Sequence, residues 1–306
     1  MSYKLTILGY PLLYDGTPMR GPDDIDCSLH FFTYWLVEGF KALGVEPTVL
    51  DVRRVGKRDP FHSCDVLLLH TLFDEFDRHI KYYFDSFRKS SKVMALWLEM
   101  PLEGYSFDRQ YLYFPPPVPD PSYKIVWAPC RFPQETCKAK DPRSVLLDHL
   151  WPGHVGTPHE WSHDLLAALE PYKDTFRFGK MLLHGDPASS LPSWVEPFPY
   201  RGYASYMKAT EEWATFMTTH TGSYNSTVID MLSRGTRVIT KTGAIPQANV
   251  ERFGVPCFNT VQEMASYIVS HPYAEAEWAP RKALCTDIFD AARMMDQDFK
   301  ALLEGR

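Results

Sequence analysis

The sequence predicts an α/β protein built as two Rossmann-like domains that face each other across a cleft. Three observations carry this expectation. The chain has 306 residues, more than one small core needs and suited to two domains of about 150 residues each. Short apolar runs alternate with segments whose apolar residues recur at helical spacing, which is how a parallel sheet covered by helices reads. The alternation runs to Asp141-Pro142 and then starts again, which divides the chain into 1–141 and 142–306.

Taken in order, Lys4–Gly9 reads as a buried strand, followed by a polar stretch over Asp15–Asp26. Ser28–Leu43 carries Phe31, Phe32, Trp35, Leu36, Phe40 and Leu43 at helical spacing, and Gly44 stops the helix. Strands are expected at Pro47–Val52, Asp65–His70, Lys92–Leu98 and Lys124–Ala128, with a helix at Asp74–Arg88 and a Pro- and Tyr-rich loop over Tyr105–Tyr123. In the second half, Ser144–Leu150, Phe176–His184, Ala214–His220 and Arg237–Thr240 read as strands. Helices are expected from Thr157-Pro158-His159-Glu160 to Tyr172, where Thr caps and Glu reaches back, and at Tyr203–Trp213, Ser226–Arg234, Thr260–Ser270 and Trp278–Leu303. The last of these is expected to pack back on the first domain.

Composition is ordinary for a globular chain, with 45% hydrophobic and 23% charged residues. A formal charge of -6 argues against a protein that simply coats nucleic acid. Six cysteines are scattered without a CxxC pair or zinc spacing, so no zinc site is expected. Met1-Ser2-Tyr3-Lys4 has no basic leader, and no apolar run approaches a membrane span. The expected location is the cytoplasm. No P-loop, GxGxxG or nucleophile elbow is present.

The most informative stretch runs from Thr219-His220-Thr221-Gly222-Ser223-Tyr224-Asn225-Ser226-Thr227 through Asp230 to Gly235. A strand ends in a small, hydroxyl-rich loop that opens a helix with an acid in it. A diphosphate calls for backbone N–H groups and hydroxyls at a helix N-terminus, where the macrodipole favours negative charge. Gly222 admits close backbone approach, and a carboxylate further on can accept both hydroxyls of a ribose. This arrangement resembles the C-terminal domain of the GT-B glycosyltransferases, with Gly235–Thr240 similar to the strand that follows their donor helix. The resemblance implies that Asp230 holds the ribose and that Ser223, Asn225, Ser226 and Thr227 meet phosphate or sugar. His149 to His154, after the domain's first strand where these relatives place a phosphate-contacting loop, and His184-Gly185-Asp186, after its second strand, are further candidate donor contacts, with His149, Gly153 and Gly185 singled out.

In the first half, Glu99 ends the apolar strand Lys92–Leu98 and is the candidate base for the acceptor hydroxyl, with Asp15, Asp24 and Asp26 as rivals. Ser91-Lys92 to Leu98, then Glu99-Met100-Pro101-Leu102, resembles the phage DNA β-glucosyltransferases that modify hydroxymethylcytosine, although the carboxylate there is Asp. Arg53, Arg54, Lys57 and Arg58 form the densest basic cluster and could meet acceptor phosphates; Tyr105, Tyr111, Tyr113 and Phe114 could stack on a base or sugar. Residues 1–143 hold 18 Lys and Arg against 19 Asp and Glu, whereas 144–306 hold 14 against 19, so the acceptor half is the less acidic.

The resemblance implies a UDP-sugar donor, UDP-glucose first, and a hydroxyl acceptor such as a hydroxymethylated base in DNA, flipped out of the stack. A phage-encoded chain would act in the host cytoplasm. A diphosphate leaving group also suits Mg²⁺ or Mn²⁺, although no ligand cluster is visible. Two other functions remain open on the sequence: a sugar-nucleotide epimerase, and a non-catalytic two-domain nucleotide or sugar sensor.

Overall fold

Short β-branched and aliphatic runs fill the strand positions of two separate sheets. The computed structural model describes residues 2–13, 16–24, 28–55, 61–71, 76–98, 101–131, 134, 139–148, 160–182, 191–199, 211–219, 226–243 and 245–305. The chain divides into two compact units: unit 1 is Met1–Pro133 with Thr286–Arg306, and unit 2 is Gln134–Cys285.

Unit 1 is built on β1 (Leu5–Gly9), α1 (Ser28–Ala42), β2 (Thr48–Asp51), β3 (Cys64–His70), α2 (Phe84–Ser90), β4 (Ser91–Leu98), β5 (Arg109–Leu112) and β6 (Tyr123–Ile125). Its strands form one parallel sheet in the order β2-β1-β3-β4-β5-β6. Val66, Leu67, Leu68 and Leu69 are all fully buried, because helices or aromatic clusters cover both faces. Phe31, Phe32, Leu36 and Phe40 form the buried face of α1, and Gly44 beyond its end has φ 77°, a left-handed value that favours glycine.

Two expectations change here. The helix expected at Asp74–Arg88 is a π turn (Phe76–Ile80), a 3-10 turn (Lys81–Tyr83) and then α2. The Tyr- and Pro-rich loop contains strand β5, whose Gln110, Tyr111 and Leu112 are buried.

Unit 2 is built on β7 (Asp141–Leu147), α3 (Glu160–Leu169), β8 (Arg177–Leu182), β9 (Val195–Pro199), β10 (Trp213–Thr218), α4 (Ser226–Ser233), β11 (Arg237–Lys241), α5 (Gln247–Phe253), β12 (Cys257–Phe258), α6 (Val261–Ser270) and α7 (Glu275–Trp278). The parallel sheet runs β12-β11-β10-β7-β8-β9. Counted from β7, that is the doubly wound order 3-2-1-4-5-6 of dinucleotide-binding folds, read from the other edge. A capping box opens α6: the Thr260 hydroxyl accepts from the Glu263 N–H at 3.2 Å, and the Glu263 carboxylate accepts from the Thr260 N–H at 3.0 Å.

The long helix expected over Trp278–Leu303 is broken. A 3-10 turn spans Ala279–Leu284, with Pro280 near its start, and Asp287 then caps a new helix, α8 (Ile288–Glu304), by accepting from the Phe289 N–H at 2.7 Å. Helix α8 belongs to unit 1 and packs along α1, where Phe299 stacks on Phe40 and Phe289 lies against Trp35. A Cβ on Gly39 would stand 2.8 Å from the Ala292 Cβ, so the two helices approach closely at that point.

Candidate nucleotide-sugar site

In an open parallel sheet a ligand binds beyond the carboxyl ends of the strands, where the strand order reverses. In unit 2 that point lies between β7 and β10. Strand β7 ends in Leu147 and passes to Asp148; β10 ends in Thr218 and passes to Thr219. The Asp148 N–H donates to the Met217 carbonyl at 2.9 Å, and the Thr218 hydroxyl donates to Asp148 Oδ2 at 2.6 Å. Asp148 is 6% exposed, so the carboxylate is held on the sheet between the two strands. It lines a small cavity of about 20 Å³, room for about one water, with Lys180, Thr219 and the apolar Leu147, Leu165 and Met217. Lys180 comes from the neighbouring strand, where it pairs in register with Leu147.

Helix α4 follows β10. Ser226 is half-buried, Thr227 is buried, and Asp230 is fully buried at 0%. A ribose could reach the Asp230 carboxylate only if the packing around it opened. The end of α4 is closed by Gly235, at φ 69°, whose N–H donates to the Leu232 carbonyl, and by the Thr236 N–H donating to Met231. A Cβ on Gly235 would meet the Ala279 backbone at 3.2 Å, so the turn from α4 into β11 has no room for a side chain. The remaining donor candidates, His149, Gly153, Gly185, Gly222, Ser223 and Asn225, lie outside the described residues.

Asp148, Lys180 and Thr219 did not emerge from the sequence as site residues. Asp148 is a carboxylate closing an apolar strand, the same pattern that singles out Glu99, and it stands one residue before His149.

In unit 1 the reversal lies between β1 and β3. Its polar groups bond to one another. The Tyr10 N–H donates to Thr33 Oγ1 at 3.0 Å, Thr33 Oγ1 lies 3.4 Å from His70 Nδ1, and the Tyr10 and Thr71 hydroxyls are 3.4 Å apart. All four residues are 3% exposed or less. Burial pushes the His70 imidazole down from its ordinary value to about 3, so the ring is neutral at physiological pH. Phe32 and Trp97 pack on that ring.

The structure places several of the acceptor candidates in contacts within unit 1. Arg53 is a local clamp: its guanidinium donates to both Asp51 oxygens at 2.6 and 2.9 Å and to the Leu12 carbonyl at 2.7 Å. Those donors tie the end of β2 to the loop after β1, which leaves little of the fork for a phosphate. Tyr105 stands edge-on to Phe76 and Phe84, at 4.7 and 4.9 Å, as part of the unit 1 core. Tyr111 and Tyr113, at 0% and 4% exposure, have no free ring face to offer a base. Arg54 is half-buried, whereas Lys57, Arg58 and Glu99 lie outside the described residues, as do the rival bases Asp15 and Asp26. Asp24 is exposed and accepts from the Arg20 N–H at 2.8 Å. Among the described residues no three His, Cys, Asp or Glu side chains come together as a metal site, and no helix is long and apolar enough to cross a membrane.

Solved glycosyltransferases are similar to this chain over its whole length. The spinosyn forosaminyltransferase SpnP gives a TM-score of 0.58 at 10% identity, over 98% of this chain and 100% of its own. A glycosyltransferase from Rickettsia africae gives 0.60 at 10% identity, over 99% and 100%. HepE from Anabaena, solved in complex with UDP-glucose, gives 0.59 at 11% identity, over 98% and 100%. No protein-family profile matches the chain, and no curated protein matches it in sequence. The likeness is therefore one of fold: this is an α/β chain with the GT-B fold of those glycosyltransferases.

Proposed function

We propose that the chain is a glycosyltransferase that takes a hexose from a nucleotide-sugar donor held on unit 2 and passes it to a hydroxyl acceptor. The observation that carries this reading is the switch point between β7 and β10, where Asp148 and Thr219 stand at the carboxyl ends of the two strands. A fold shared along the full chain with glycosyltransferases supports it, and the UDP-glucose bound to HepE makes UDP-glucose the first donor to test. In this reading the N-terminus of α4 and the loop before it face the leaving diphosphate, and Glu99 takes the acceptor proton. A hydroxymethylated base in DNA is the acceptor that the resemblance around Glu99 favours.

The test is a thermal-shift series with UDP, GDP, ADP and their glucose conjugates. A ligand at 100 times its dissociation constant adds about 2.7 kcal/mol of stability. A shift with one nucleotide that is lost in Asp230→Asn supports both the donor site and the ribose role of that carboxylate. A shift that Asp230→Asn keeps leaves the donor site in place and removes Asp230 from it. No shift with any of them refutes the donor reading.

A further inference from the structure

The amino ends of the unit 1 strands carry a group of side chains that the donor reading does not use. An open recess of about 350 Å³ lies where Lys4 leads into β1, Ser63 leads into β3, and α2 ends at Lys89-Ser90 and passes into β4. A cavity of about 420 Å³ adjoins it and shares Lys4, Ser63 and Cys64. Both volumes are in the range of small-molecule sites. We propose that this recess binds the phosphate group of a small anion, through the ammoniums of Lys4 and Lys89 and the hydroxyls of Ser63 and Ser90.

The charges in the recess set the sign of its ligand. Lys4, Lys89 and Lys92 line it against one carboxylate, Asp65. That carboxylate is already paired: Lys92 Nζ stands 2.8 Å from its Oδ1, and the Lys4 N–H donates to its Oδ2 at 2.8 Å. The bond from Lys92, and then that from the Lys4 N–H, holds the carboxyl below its ordinary value, so Asp65 stays ionised and bonded within the protein. Three positive charges less one leave a balance of two. A phosphate monoester carries close to two negative charges at neutral pH. Helix α2 ends at the recess, but a helix C-terminus contributes at most roughly half a negative charge, too little to reverse that balance.

The donors are available as well as charged. Lys4, Ser63 and Lys89 are exposed and Ser90 is half-buried, and among the described residues none of these four side chains makes a hydrogen bond or ion pair. Ammonium and hydroxyl groups donate, which is what the oxygens of a phosphate dianion require. The four groups come from three chain segments that meet because β1, β3 and β4 lie side by side, with Leu5 opposite Val66 and Cys64 opposite Ser91. Their spacing is therefore set by the sheet. The reversal of that sheet lies at the carboxyl ends of β1 and β3, the other end of the same strands. A ligand in the recess is thus a second ligand and not the glycosyl acceptor, and the inference does not rest on the donor reading.

The test is isothermal titration of glucose 6-phosphate and of inorganic phosphate into the full chain at low salt, with excess UDP present to occupy the donor site. The wild type is expected to bind one anion per chain. Lys4→Gln combined with Lys89→Gln is expected to weaken that binding at least about tenfold, the scale of one charged hydrogen bond. Added salt should weaken it too, because both lysines are exposed. Lys173→Gln, which removes an exposed positive charge from unit 2, is expected to leave it unchanged. Tighter binding of the sugar phosphate assigns the recess to a phosphate ester, and equal binding assigns it to free phosphate. A wild type that binds neither anion overturns the proposal without any variant. Undiminished binding by the folded double variant also overturns it, as does an equal loss in Lys173→Gln, which would make the effect one of overall charge. A DNA duplex that binds through Lys4 and Lys89 while neither small anion binds would overturn it in favour of a nucleic-acid contact. A chain that does not bind UDP loses the donor reading and leaves this titration as it stands.

Discussion

Asp298 on α8 fastens the last helix to the edge of the unit 1 sheet, and replacing it should loosen that attachment more than any surface change. Its carboxylate accepts from Arg109 Nε at 2.7 Å, the Tyr111 hydroxyl at 2.9 Å and Lys124 Nζ at 2.5 Å. The Asp298 side chain is 6% exposed, Arg109 is 16% and Lys124 is 38%. Removing one member of a buried ion pair costs roughly 3–5 kcal/mol, because it strands the partner's charge. Lys124 can turn to solvent, so the expected cost of Asp298→Ala lies at the low end, about 3 kcal/mol. Burial raises the Asp298 carboxyl, but the bonds from Lys124 and Tyr111 and the charges of Arg109 and Lys124 outweigh it, and the net effect holds the carboxyl below its ordinary value. A carboxyl depressed on folding contributes fully above its unfolded value, near 3.9, and loses that contribution as pH falls through its folded value. The gap between wild type and Asp298→Ala should thus be full at pH 7 and narrow below about pH 4. Urea unfolding at pH 7 and pH 3, with hydrogen exchange of the α8 amides, measures both effects. A loss under about 0.5 kcal/mol at pH 7, the scale of a plain surface change, would refute the reasoning, as would a gap of equal size at both pH values.

Burial of neutral His70 makes unit 1 acid-sensitive on its own account. With an unfolded value of about 6.5 and a folded value of about 3, the unfolded chain takes up the proton first. Stability should therefore fall by about 1.4 kcal/mol per pH unit below 6.5, and urea curves at pH 6.5 and 5 should show this in the wild type and not in His70→Gln. Gly39→Ala should destabilise by about 1–3 kcal/mol despite the better helix propensity of alanine, because the new Cβ meets Ala292 between α1 and α8; thermal unfolding reads the sign. Arg53→Ala should lower thermal stability through loss of its bonds to Asp51 and Leu12 while leaving nucleotide affinity unchanged, and a drop in nucleotide affinity at constant stability would reverse that assignment.

What the sequence disclosed and what it hid divide along physical lines. Helix α1 was plain because its apolar residues recur at one helical spacing and Gly44 marks its end. Strand β5 was hidden because Arg109 and Gln110 read as loop, and the partner that explains Arg109, Asp298, lies 189 residues further along the chain. Strand β9 was hidden by its two prolines, which local rules exclude from a central strand; it is an edge strand, where proline is tolerated. The break between α7 and α8 was read through because the apolar spacing continues on both sides of it. For the candidate site, the sequence singles out the turns after β7 and after β10, the two strands at the reversal of the unit 2 sheet. It could not show that Asp230 would be sealed inside α4 or that Asp148 would line a pocket, since both are acids among apolar neighbours and only packing separates them.

The two switch points of this chain differ in a way that bears on where a ligand is gripped. In unit 1 the polar groups at the reversal, Tyr10, Thr33, His70 and Thr71, satisfy one another beneath a layer of aromatic rings, and Gly9 leaves Thr33 room to approach, a Cβ there standing 2.8 Å from its hydroxyl. A ligand at this reversal would have to displace bonds already made between buried groups. In unit 2 the Asp148 carboxylate is anchored by Thr218 at the reversal, beside the end of β10. Affinity for the donor is thus expected to reside in unit 2, and substitutions at the unit 1 switch point, such as Thr33→Val, should change stability before they change nucleotide binding. A Thr33→Val variant of unaltered stability that no longer binds the nucleotide would contradict that division.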